Sequence, residues 1–287
     1  MAGRAVVITG VSTGLGRAAA EELATHGYDV FGSVRRSQDA DALRARLGAR
    51  FTPLLFDVTD EGAVRAAAGQ VARLLGDRGL AGLVNNAGIG IGGPLMHQPL
   101  DEIRRHFEVN VLGALAVTQA FLPLLGAKFP QAHPPGRIVN ISSIGGRIAY
   151  PFLGAYSASK HALEAASDAL RRELAIYGID VIVIEPGSVR TSIWDKAEQA
   201  DISRYAGTDY GAIVTRFQKG FIAGGRAGMR AEVVGRTVRE ALESPRPKAR
   251  YPLPTNRLTA WIIPRLLPDR WLDRLIVSRL GLTRRQA

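Results

Sequence analysis

Residues 5–16 read AVVITGVSTGLG: an apolar β-branched run, a turn rich in glycine, and the start of an amphipathic stretch near 15–26. A short Val/Ile run that breaks into glycines predicts a buried strand turning sharply into a helix. Glycines at 10, 14 and 16 let the backbone turn tightly and approach a pyrophosphate, whose charge the N-terminus of the next helix favours. The spacing is not G-x-G-x-x-G, because three residues separate the first two glycines and one separates the last two. A turn holding no ligand would look similar over so few residues, so the rest of the chain has to decide.

Outward from this turn the alternation repeats. Residues 29–34 (DVFGSV), 51–56 (FTPLLF), 82–85 (GLVN), 137–141 (RIVNI) and 180–185 (DVIVIE) read as strands. Amphipathic stretches near 60–75, 101–126 and 156–177 separate them. Val/Ile-rich strands joined by helices of this length predict an α/β fold: one doubly wound parallel sheet with helices on both faces. The alternation runs unbroken to about residue 186, so no linker divides the chain there. Residues 1–245 are expected to form a dinucleotide-binding catalytic domain with a substrate loop over 190–228. Residues 246–287 are expected to be a basic, amphipathic, helical C-terminal extension of it. Within that extension SPRPKARYPLP is too rich in proline for helix, and PDRWLDRLIVSRLGL resumes a helical pattern.

Composition narrows the function. The 287 residues contain no cysteine, which removes disulfides, thiolate metal sites and a cysteine nucleophile, and suits a reducing cytoplasm. The first strand begins at residue 5, so no signal peptide is expected, and no run of about 18 uncharged apolar residues predicts a membrane span. The net charge of +11 is concentrated at one end: residues 244–287 hold ten Lys/Arg against Asp269 and Asp273, which leaves about +3 for the rest. The basic residues of the tail alternate with Leu and Trp and match no nucleic-acid recognition motif, so nucleic acid is not expected as a partner. A cytoplasmic location is expected; the tail's apolar stripe (Trp271, Leu272, Leu275, Ile276, Leu280) suits an anionic membrane surface, a cover over the active site or a second subunit, packing being the commoner fate.

The turn T-G-x-x-x-G-x-G is followed, in order, by NNAG (85–88), Asn110, ISS (141–143), YSASK (156–160) and PG (186–187). In this set of motifs, over residues 4–245, the chain resembles the short-chain dehydrogenase/reductase family. The resemblance implies a nicotinamide coenzyme held by Gly10, Ser12, Thr13, Gly14, Leu15 and Gly16 at its phosphates. Asp57 matches the residue that meets the adenine amino group, beside Val58. Asn86, Ala87 and Gly88 line the next turn. Pro186, Gly187, Val189 and Thr191 match the nicotinamide end. Where an acid at the end of the second strand would bind ribose hydroxyls, this chain has Val34 followed by Arg35 and Arg36, which favours NADP over NAD. Thr13 departs from that choice, since many NADP-using relatives carry a basic residue there.

Tyr156 and Lys160, four apart at the start of a helix, share one face. A phenol with a pKa near 10 is a poor base until a nearby ammonium and an oxidised nicotinamide favour its anion. A random Tyr and Lys at this spacing would be an interfacial aromatic and a solvated cation. Here Ser143 lies thirteen residues before the tyrosine, in a chain that also carries a phosphate loop. By the resemblance Ser143 polarises the substrate oxygen, Tyr156 exchanges the proton, Lys160 also holds the nicotinamide ribose, and Asn110 helps order a water between Lys160 and solvent. The five histidines (26, 97, 106, 133, 161) have no ligand spacing, and no metal is expected.

The stretch 192–228 carries Trp194, Tyr205, Tyr210, Phe217 and Phe221 among glycines and reads as a lid over a hydrophobic small molecule, with a dimer contact or plain helical packing as the alternative. The tail pattern ARYPLP…RLLPDRWLDRL, with GRIAYPFLGAYSASK and IEPGSVRT, looks like bacterial relatives of hydroxysteroid and retinol dehydrogenases, which implies a steroid-, retinoid- or lipid-like alcohol or carbonyl substrate. A 3-oxoacyl reductase, working on carrier-protein or CoA thioesters, is a second reading. A coenzyme-sensing binding protein without turnover is a third. The resemblance also implies a homodimer or homotetramer formed through the long helices.

Overall fold

All four residues of β1 (Ala5–Ile8) are buried, and they alternate between two cores. The structure is a computed structural model that describes residues 4–283. The first three residues and the last four, with Arg284 and Arg285 of the basic tail, lie outside the described residues. Val6 and Ile8 pack on one face with Ala19, Ala20 and Leu23 of α1 (Gly14–Thr25), while Ala5 and Val7 pack on the other. A strand buried on both faces needs no polar alternation, which is why AVVI is uninterrupted.

The chain crosses to β2 (Asp29–Val34), α2 (Ser37–Leu47), β3 (Phe51–Leu55), α3 (Glu61–Leu75) and β4 (Leu80–Asn85), and every adjacent pair in the sheet is parallel. Two helical pieces, α4 (Leu100–Phe107) and α5 (Ala114–Phe121), lead to β5 (Arg137–Ile141), α6 (Gly154–Glu173) and β6 (Asp180–Pro186). The helical run Leu100–Leu125 has the length and hydropathy of a membrane span, but half of its apolar window is buried inside the protein; Val117 and Phe121 fill the second core.

Beyond β6 a two-residue strand β7 (Val189–Arg190) pairs with β8 (Met229–Arg230) and brackets α7 (Ile193–Glu198) and α8 (Gly211–Arg226). The segment expected to be a lid is therefore largely helical. Helix α9 (Ala231–Glu243) then packs along α1, with Val234, Val238 and Ala241 in the first core.

The six expected strands are all present. A seventh, β9 (Arg250–Leu253), pairs in parallel with β6 inside the proline-rich stretch that lies past residue 245. Pro252 is tolerated because β9 is the edge of the sheet. Arg250 fixes it: its guanidinium reaches Glu164 at 3.0 Å and Asp168 at 2.8 Å on α6, and lies 3.5 Å from Glu185 of β6. The tail ends in α10 (Ile263–Leu266) and α11 (Asp269–Leu280). The sheet order is β3-β2-β1-β4-β5-β6-β9. Connections run one way from β1 and the other way from β4, so a crevice opens between those two strands at their C-terminal ends.

Next to that crevice the sheet is locked to its helices by buried polar side chains. Asn85 Nδ2 donates to Thr118 Oγ1 and Asn140 Oδ1, both at 2.9 Å, and Asn140 Nδ2 donates to Ser167 Oγ at 2.8 Å. Removing one member strands the others without water. Asn140→Leu is expected to cost about 2–4 kcal/mol in urea unfolding, with the sheet content of the folded fraction by circular dichroism unchanged.

Candidate active site

The two sides of the crevice are tied by one hydroxyl. Thr9 Oγ1 accepts from the N–H groups of Asn86 and Ala87, both at 2.9 Å, and joins the end of β1 to the turn after β4. Gly10 follows with φ +70°, a conformation that favours glycine, and its N–H donates to Ser33 Oγ at 2.9 Å. At Gly16 a Cβ would collide with Asn86 Nδ2 and Gly10 O, because the Asn86 amide donates to Thr9 O and Gly10 O there. The turn Gly10–Gly16, with Ser12 and Leu15 half-buried in it, therefore lies tight against the strand ends.

Helix α1 starts with no side-chain cap at Thr13 and no acid in its first turn. Its first N–H groups are left for an anion, and Thr191 stands against Gly14 across the opening. An uncapped helix start behind a glycine turn fits the phosphates of a dinucleotide.

At the end of β2, Val34 is buried and Arg35 is exposed, its guanidinium 3.7 Å from Asp57. Arg36 turns away and holds Asp39 through two bonds, at 2.9 and 3.0 Å, so the two arginines expected at one site part company. Burial would raise the Asp57 carboxyl; hydrogen bonds from the Thr59 N–H and hydroxyl, with Arg35 and Arg105 nearby, hold it below the usual range. Val58 packs on Gly113, under the same rim.

Ser143 and Tyr156 meet at the ends of β5 and α6. Ser143 Oγ accepts from the Gly145 N–H at 3.0 Å, donates to Pro186 O at 3.4 Å and lies beside the Tyr156 phenol. The tyrosine ring lies against Gly90 and Gly145, where a side chain would press on it. Burial raises the phenol above its ordinary value of 10 and the Ser143 hydroxyl lowers it less, so without coenzyme the tyrosine keeps its proton.

Lys160 is buried, and its Nζ donates to Ile141 O at 2.8 Å rather than to the phenol. Burial pulls its pKa down to about 8, against a smaller upward pull from Glu164. A Cβ placed on Gly88 would lie 3.1 Å from Asn110 Oδ1 and 3.6 Å from Lys160 Nζ, so these three residues share one corner.

Asn110 sits in a π-turn (Glu108–Gly113) between α4 and α5, a rare widening of a helix that often occurs at functional positions. Its Oδ1 accepts from the Ile89 N–H at 2.8 Å, and its Nδ2 donates to Ile89 O at 3.0 Å and Ser159 Oγ at 2.9 Å. It clamps the backbone that lies against Tyr156. Thr9, Ser33 and Ser159 are three structural hydroxyls that reading the sequence missed. Each lies inside or beside a recognised motif, but nothing in a serine or threonine itself announces a buried acceptor.

The region 193–226, with Phe152, forms a layer of aromatic rings. Phe152 and Phe217 are 5.1 Å apart, Phe217 stacks on Phe221 at 5.4 Å, and Phe221 meets Trp194 at 5.1 Å. Tyr205 fills a pocket beside Gly93, and the next-door Arg204 grips Glu102 of α4 through two oxygens at 2.6 and 3.0 Å. Val189 is buried and takes the Trp194 indole N–H on its carbonyl at 2.7 Å, while the Gly187 N–H is held by Leu253 O. Among the described residues no cluster of His, Asp or Glu is arranged to hold a metal ion.

Comparisons with known proteins agree with one another. A family model described as short chain dehydrogenase matches residues 4–202. The chain is 42% identical over 277 residues to the NADPH-dependent 3-dehydrocapnine reductase of Ornithobacterium rhinotracheale, covering 96% of this chain and 97% of that protein. It is 34% identical over 296 residues to human retinol dehydrogenase 5, covering 94% and 87%. The crystal structure of a short-chain dehydrogenase from Streptomyces avermitilis matches with a TM-score of 0.76 over 98% of each chain, at 27% identity.

The buried ammonium carries a measurable cost. With a pKa near 8 in the fold and 10.5 outside it, Lys160 opposes folding at every pH below about 8, and the penalty fades as pH rises towards 10.5. After allowing for the lost bond to Ile141, Lys160→Met is expected to raise unfolding free energy by about 2 kcal/mol at pH 7. Urea titrations across pH should show that gain shrinking above pH 8.

Proposed function

The chain belongs to the short-chain dehydrogenase family and is an oxidoreductase, and on that premise we propose that it interconverts a hydrophobic alcohol and its carbonyl compound with NADP(H). The observation that carries this reading is the meeting of the Ser143 hydroxyl and the Tyr156 phenol beside buried Lys160, at the mouth of the glycine-turn crevice.

Bound in the crevice, the coenzyme supplies the hydride chemistry. The Gly10–Gly16 turn and the open start of α1 would hold its phosphates. Asp57 and Val58 would meet the adenine, and the Asn86–Gly88 turn, Gly187, Val189 and Thr191 would hold the nicotinamide end. Arg35, exposed beside Asp57 with no acid at Val34, suits a 2′-phosphate better than free ribose hydroxyls. The NADPH dependence of the 42%-identical reductase supports the same choice.

In the reduction direction Ser143 donates a hydrogen bond to the substrate oxygen and Tyr156 gives it a proton. The protonated state that burial imposes on Tyr156 is the one this step consumes. Lys160, with its pKa near 8, holds a proton at neutral pH and can release it within the working range. Asn110 acts through the Ile89 backbone and keeps the wall behind the tyrosine in place.

For the substrate, half-buried Phe217 and Phe221, between buried Phe152 and Trp194, offer apolar area and few polar groups. That suits a lipid-, steroid- or retinoid-like molecule.

Purified protein should oxidise NADPH in the presence of hydrophobic ketones. Tyr156→Phe is expected to lower kcat by at least about 1,000-fold while coenzyme affinity by fluorescence titration holds. Arg35→Ser should weaken NADPH at least about tenfold and leave NADH unchanged. A wild-type preference for NADH would overturn the arginine reading alone. Phe217→Ala should raise KM for a long-chain ketone more than for a short one; equal effects on both would remove the aromatic layer from substrate recognition.

A further inference from the structure

We propose that the outer face of the C-terminal segment 258–280 is a docking surface for an anionic lipid bilayer. One continuous helical run, Leu258–Leu266, places Leu258, Ile262 and Leu266 four residues apart, and all three are exposed, Leu266 by 78%. Its opposite side is satisfied internally, since Trp261 is buried under the Arg265 guanidinium. In α11 the same division holds. Leu272, Ile276 and Leu280 are half-buried, whereas Trp271 and Leu275, four apart, face outward, and Trp271 is 63% exposed.

The tail is firmly placed. Leu280 and Leu282 pack into the cluster of Phe152, Tyr205 and Val214, and Arg216 of α8 donates to Leu280 O at 2.9 Å. An anchored helix that shows tryptophan and leucine outward has a face built for something else.

Charge identifies the occupant. Arg270 and Arg274 run alongside Trp271 and Leu275, and with Arg257 they make no ion pair among the described residues. A second copy docking by two-fold symmetry would set this arginine-rich strip against itself, with only Asp269 and Asp273 in α11 to offset it. An anionic membrane surface instead pairs every arginine with headgroups while the apolar side chains enter the acyl boundary. The surface lies outside the proposed coenzyme and catalytic residues and does not depend on the substrate reading.

The test uses the full chain with vesicles of phosphatidylcholine alone or mixed with phosphatidylglycerol. Trp194 and Trp261 are buried, so a blue shift of tryptophan emission reports Trp271. Wild type should sediment with the mixed vesicles and show the shift, and bind the neutral ones far less. Each arginine near such a surface is worth about fivefold in partitioning, so Arg270→Gln/Arg274→Gln should lose about 25-fold. Trp271→Ser/Leu275→Ser should lose sedimentation with the mixed vesicles. Both variants should keep wild-type turnover of a water-soluble ketone, which shows that they are folded. Equal sedimentation of wild type and variants would overturn the proposal. So would an absence of binding to anionic vesicles, or self-association in ultracentrifugation that the Trp271/Leu275 variant loses.

Discussion

A lysine ammonium taken out of water constrains this molecule more than any other group. Lys160 is buried with a single direct hydrogen bond, to the carbonyl of Ile141 at the end of β5. Such a charge is tolerated only if its surroundings supply compensating negative potential. That comes from Glu164, one turn further along α6, which is itself nearly inaccessible. Glu164 in turn lies beside buried Glu185, whose carboxyl is pushed up by burial and by its neighbour. Arg250 is the cation that reaches both carboxylates. The charge at the proposed site is thus balanced through four side chains from three elements, and the last of them lies at the far edge of the sheet.

Much of this architecture could be read from the chain. Six strands announce themselves because a parallel strand covered on both faces must be almost wholly apolar, as in AVVI and DVIVIE. The crevice is legible because only glycine suits the left-handed turn at Gly10 and the contact of Gly16 with Asn86. Tyr156 and Lys160 stand out by their helical spacing once Ser143 precedes them.

Other features left no local signal. β9 is hidden because an edge strand may carry Pro252, and because Arg250 does its pairing with residues 65 to 86 positions away. Helix α2 buries little more than Ala40 and Leu43, so its polar sequence shows no stripe. The separation of Arg35 from Arg36 depends on Asp39, three residues on, capturing one guanidinium. The π-turn that aims Asn110 at Ile89 comes from packing, and its composition is that of an ordinary helix.

The position of Arg250 also bears on how the molecule is made. A ribosome delivers the chain from its N-terminus, and the strands from β1 to β6, together with α6, emerge before residue 250 exists. Through that interval Glu164 and Glu185 face one another without Arg250, while Asn140 already ties the helix bearing Tyr156 and Lys160 to β5 through Ser167. The first six strands can pair as they appear. The last charge of the network around the proposed site therefore arrives with the edge strand, after most of the sheet has been synthesised.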